Sequence, residues 1–109
     1  MKNIITVEKV GHLPMPLIYL AAAEDLAQWH AGQLSSALER GERRPTVSCF
    51  DTAPMGFALS DAAPVVWEAL TGVLCRHPET EHLTILCGDE ASYRAYCACL
   101  ENEKLFREQ

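Results

Sequence analysis

The feature that most constrains this chain is a change of hydrophobic period, repeated along its length. Apolar runs of strand length give way to stripes that recur every three or four residues. Ile4 to Val7 is a short β-branched run that suits a strand. Leu17 to Ala22, Thr46 to Phe50 and His82 to Cys87 follow, and the first two have the continuous pattern of strands buried on both faces. Between and after them, three stripes read as amphipathic helices: Ala27, Ala31, Leu34 and Leu38; then Ala63, Val66, Trp67, Leu70 and Leu74; then Tyr93, Tyr96, Cys97 and Leu100. Gly41 suits the end of the first helix, and Pro78 marks the end of the second. Asp61 is placed to cap the second helix with Pro64 in its first turn. Strands alternating with helices imply an α/β fold. The expectation is a single three-layer domain over residues 1–109, with a mostly parallel sheet of four or five strands flanked by three helices. In such sheets ligands bind where loops leave the carboxyl ends of the strands. Here those loops are Ala23–Asp25, Asp51–Ser60 and Gly88–Glu90.

Charge and composition narrow the function classes. The chain has 109 residues, with 9 Lys and Arg against 15 Asp and Glu, for a net charge of -6. An acidic chain with no basic stripe lacks the means to neutralise phosphates, so nucleic acid is not an expected partner. The longest near-apolar run, Leu13 to Ala23, is about half of the roughly 20 residues that span a bilayer, so no membrane partner is expected either. No charged start followed by an apolar core and a small-residue cleavage site is visible, and a cytoplasmic location is expected. The five cysteines, Cys49, Cys75, Cys87, Cys97 and Cys99, are an odd number outside a secretory context. They read as buried small hydrophobes rather than as a disulfide framework.

Signature motifs are sparse. The chain contains no GxGxxG, GxxxxGK[ST] or GxSxG, which removes the common dinucleotide, phosphate-loop and hydrolase signatures. Cys87 falls at a strand end just before a helix, where amide dipoles favour a thiolate. Oxyanion-binding thiol loops place an arginine after five intervening residues, whereas six separate Cys87 from Arg94, and Asp89 and Glu90 would repel an anion. Cys97 and Cys99, two apart on a helix, point to different faces and do not share an ion. No metal and no cofactor are expected.

One stretch goes further than periodicity. Gly56-Phe57-Ala58-Leu59-Ser60-Asp61-Ala62-Ala63, a helix, His77-Pro78, and then Leu83 to Tyr96 together resemble the second half of a macrodomain. The similarity covers residues of about 30 to 100. It implies an α/β scaffold and ADP-ribose recognition through a phosphate loop. That loop maps onto Asp51-Thr52-Ala53-Pro54-Met55-Gly56, with Gly88 where the family often carries an aromatic near the adenosine. The family's adenine-contacting aspartate, asparagine-rich strand end and glycine-rich loop have no counterpart in residues 1 to 30. Asp51 brings a negative charge towards a diphosphate, and Pro54 removes an amide donor.

The expected function is therefore that of a small, non-enzymatic binding or interaction protein on a shortened macrodomain-like scaffold. It is expected to self-associate, most simply as a homodimer, because the missing half leaves an open flank. The alternative is a binder or hydrolase of ADP-ribose or a related nucleotide derivative. Its candidate ligand-binding residues are Asp51, Thr52, Ala53, Met55, Gly56 and Gly88. A third reading is a thiol enzyme or redox protein using Cys87.

Overall fold

The computed structural model describes residues 4–11, 23–49 and 58–108. Three strands and three helices alternate: β1 (Ile4–Lys9), α1 (Ala23–Glu39), β2 (Thr46–Cys49), α2 (Leu59–Arg76), β3 (His82–Cys87) and α3 (Glu90–Glu108). The strands form a parallel sheet of order β1-β3-β2. Ile5 lies beside Leu83, Val7 and Val47 flank Ile85, and Lys9 and Cys49 flank Cys87. The α/β class and the parallel pairing agree with the sequence reading. The described sheet has three strands rather than four or five, and the expected strand Leu17–Ala22 lies outside the described residues.

Side chains of successive strand residues point to opposite faces, and here the two faces differ in kind. Val47, Cys49, Leu83, Ile85 and Cys87 share one face and are fully buried. Leu26, Leu34 and Leu38 of α1, Val66, Leu70 and Val73 of α2, and Tyr96 of α3 complete the same cluster. The opposite face carries Thr6, Ser48, His82, Thr84 and Leu86, all half-buried, with the Thr6 hydroxyl 2.8 Å from His82 Nε2. The expected three layers are thus corrected to two among the described residues, a sheet and one layer of helices. The physical reason is alternation: Thr46, Ser48, His82 and Thr84 are polar at every second position, which marks a one-faced strand. Burying each Leu, Ile or Val on the covered face contributes about 1.5–3 kcal/mol. Ile85→Ala, in the central strand, should cost about 2–5 kcal/mol.

The helix ends explain themselves locally. Gly41 adopts φ of 90°, the left-handed conformation that a side chain disfavours. Its N–H donates to the Leu38 carbonyl (3.0 Å) and that of Glu42 to the Ala37 carbonyl (3.2 Å), the paired bonds of a Schellman stop. α2 begins earlier than the sequence suggests. Ala58 is its N-cap, with no side-chain cap bond, so Asp61 sits within the first turn and Pro64 within the second. Asp61 still favours the positive end of the helix dipole. α2 packs against both α1 and α3. No helix among the described residues is long and apolar enough to cross a membrane.

Candidate functional site

Because the strands are parallel, their carboxyl ends share one edge of the sheet, and α2 and α3 start there. The ladder ends with the Val10 N–H donating to the Cys87 carbonyl at 2.9 Å. Beyond it the chain turns through Gly88 and Asp89 into α3. Asp89 is fully occupied by this turn. Its Oδ1 accepts from the Ser92 N–H at 2.7 Å and its Oδ2 from the Ser92 hydroxyl at 2.9 Å. Its carbonyl accepts from the Tyr93 N–H at 3.2 Å. The carboxylate therefore caps the helix, and Ser92 is buried beneath it.

Glu90 joins strand to helix at the same edge. Its Oε2 accepts from Lys9 Nζ at 2.7 Å, and its Oε1 accepts from Arg94 Nε at 3.0 Å. Those two hydrogen bonds, Lys9 first, hold the Glu90 carboxyl below the usual carboxylate range. All three side chains are well exposed, so the triad is screened by water and contributes little to stability.

The thiols lie on the covered face. Cys87 and Cys49 sit in register on adjacent strands, both with no exposed surface. Burial pushes the Cys87 thiol up to about 12, with the Asp89 carboxylate adding to the effect. Burial and the neighbouring Cys87 likewise raise Cys49, partly offset by a hydrogen bond with the buried Tyr96 hydroxyl. A nucleophilic cysteine needs the opposite surroundings, electropositive and accessible. Cys75, expected to be buried like the other cysteines, is exposed, while Cys97 and Cys99 are half-buried. Among the described residues, no group of three or more His, Cys, Asp or Glu side chains is arranged to hold a metal ion.

Of the residues marked by sequence, Gly88 lies half-buried in the turn between β3 and α3. Asp51, Thr52, Ala53, Met55 and Gly56 lie outside the described residues. Sequence reasoning missed a different feature. Between the start of α2 and α3 lies a groove of about 680 Å³, lined by small side chains such as Ala63, Pro64, Ala95 and Cys99. Glu90 and Arg94 stand on its rim. The signal for it was present, since Ala91, Ala95, Ala98 and Asn102 recur at helical spacing opposite the stripe led by Tyr96.

No protein-family model, curated protein or solved structure matches the chain. The macrodomain resemblance therefore rests on the residues quoted for it.

Proposed function

We propose that this chain is a small, non-enzymatic interaction protein that works in a reducing compartment and associates with itself. The carrying observation is the groove between α2 and α3: an apolar surface recess beside the Asp89 and Glu90 carboxylates, both of which are already paired. A concave, mostly apolar recess of this volume is the usual form of a binding surface. The state of the thiols adds support, because Cys87 is shielded by helices and lacks the environment that makes cysteine reactive. Neighbouring free thiols in a core also suit a compartment that keeps cysteine reduced.

Two measurements test the reading. Light scattering at high micromolar concentration should give a mass above 12.1 kDa, and a monomer there would refute self-association. Calorimetry with ADP-ribose should give no binding, or a Kd well above about 10 μM. A carboxylate facing a diphosphate costs on the order of 1–4 kcal/mol, and a lost hydrogen bond to a charged group about 1.5–3 kcal/mol. A tighter Kd, or turnover of an ADP-ribosyl substrate, would overturn the non-enzymatic reading in favour of nucleotide recognition.

A further inference from the structure

We infer that the partner seated in the α2–α3 groove is a second copy of this chain, with the two α3 helices crossing antiparallel about a two-fold axis beside Ala98. This rests on the self-association reading above and names its surface.

The floor of the groove sets the first condition. Ala91 and Ala98 are exposed and Ala95 is half-buried, so α3 offers a helix-length face without bulky side chains. A helix laid there can approach to the short end of the usual 8–10 Å interaxial range. The rim across the groove belongs to the first two turns of α2, where Ser60 and Pro64 stand exposed. The element that stands beside this groove in every copy is α3 itself, which makes the arrangement isologous: each copy gives the same helix and the same recess.

Charge decides between a second copy and an unrelated helix. Arg94 and Glu101 lie two turns apart on one flank of the alanine face, and both are exposed. Reversing the direction of an identical helix about a point near Ala98 sets Arg94 of each copy opposite Glu101 of the other. Two ion pairs form, related by symmetry. A parallel two-fold would carry this flank to the opposite side of the interface, so Arg94 and Glu101 would not meet. Glu90 does not depend on Arg94 alone, because Lys9 Nζ already lies 2.7 Å from its Oε2. Arg94 is therefore free to reach across without leaving an unpaired carboxylate behind. The net charge of -6 disfavours indiscriminate contact between copies, so a face with balanced charge is where they can meet.

The test is charge exchange followed by mixing, read by sedimentation velocity on the full chain. Arg94→Glu alone opposes two carboxylates at each pair, and Glu101→Arg alone opposes two cations. Each should weaken the dimer roughly thirtyfold, from two pairs turned from attraction to repulsion. Mixed one to one, the two variants should recover association. In the mixed dimer the introduced carboxylate of one copy faces the introduced guanidinium of the other, and the unaltered Arg94 and Glu101 face each other at the second pair. Ala98→Trp, at an exposed position, should also abolish pairing with the melting temperature of the monomer retained. If wild type associates but both charge variants and Ala98→Trp associate equally well, this surface is wrong while self-association stands. If wild type is monomeric at high micromolar concentration, the inference and the self-association reading fall together. Loss in the single variants without recovery on mixing would overturn the antiparallel register.

Discussion

Asp89→Ala is the sharpest perturbation of the turn that the resemblance would assign to a ligand. The carboxylate holds the first turn of α3 through both oxygens, one on the Ser92 N–H and one on the Ser92 hydroxyl. Removing an N-cap costs about 0.5–2 kcal/mol, and losing its charge at the dipole belongs to the same range. The Ser92 hydroxyl is then stranded, since Ser92 has 0% exposure, and a buried unsatisfied group costs about 1–3 kcal/mol. Together the loss should be about 2–4 kcal/mol. For a domain of this size, about 4 °C per kcal/mol lowers Tm by roughly 8–16 °C. Asp89→Asn keeps an acceptor for the Ser92 N–H and should lose less than about 1 kcal/mol. In Asp89→Ala with Ser92→Ala the stranded hydroxyl disappears, so the double variant should be about 1–2 kcal/mol more stable than additivity gives. Thermal and urea unfolding monitored by circular dichroism measure wild type, Asp89→Ala, Asp89→Asn, Ser92→Ala and the double variant. An Asp89→Ala variant within about 2 °C of wild type, or strict additivity in the cycle, would refute the structural role and free Asp89 for other work.

Gly41→Ala should cost about 1–2 kcal/mol, because φ of 90° strains an L side chain although no atom lies within 4 Å of the added Cβ; equal urea midpoints would contradict the Schellman stop. A thiol reagent at neutral pH should label the exposed Cys75 quickly, and Cys49 and Cys87 only on denaturation, so peptide mapping that finds Cys87 modified as fast as Cys75 contradicts its placement. Burial lowers the pKa of His30, partly countered by donation from Nδ1–H to the Leu26 carbonyl at 2.8 Å. The unfolded chain therefore binds a proton more readily, and stability present above pH about 6.5 should fall as pH drops towards the lower folded value. His30→Gln should flatten that part of the Tm profile, and an unchanged acid slope would rule His30 out as its source.

What could be read from the sequence was whatever repeats with a period. The helical stripes at Leu34 and Leu38 and at Val66, Leu70 and Leu74 are buried as their spacing implies. The strand His82–Cys87 begins and ends where the apolar run does. Boundaries without a periodic signal fared less well. Asp61 looks like a cap because its chemistry suits one, yet Ala58 takes the position with its backbone alone. The two-layer arrangement was visible in Thr46, Ser48, His82 and Thr84, but short strands with β-branched polar residues resemble fully buried ones. Cys75 follows an apolar helix stripe by one residue, enough to turn it to solvent. The groove between α2 and α3 was legible only by half: the small face of α3 recurs at helical spacing, but that α2 stands beside it is a long-range fact neither helix encodes by itself. The same holds for the bond of Lys9 to Glu90, 81 positions later.

The order β1-β3-β2 has a consequence for how the chain acquires its sheet during synthesis. Among the described residues, β1 and β2 do not pair with each other; each pairs with β3. Thr6 waits for His82, 76 positions further along, before its strand has a neighbour. A ribosome-bound chain that ends before β3 therefore carries β1 and β2, with their apolar faces, without the strand that joins them. The sheet of the described residues assembles only after His82–Cys87 emerges, and both of its strand pairings are long-range. Such pairing is slow relative to local helix formation and leaves open edges exposed meanwhile. The nascent chain should thus depend on holding factors until β3 is free, and a stalled chain lacking β3 should aggregate rather than rest as a stable intermediate.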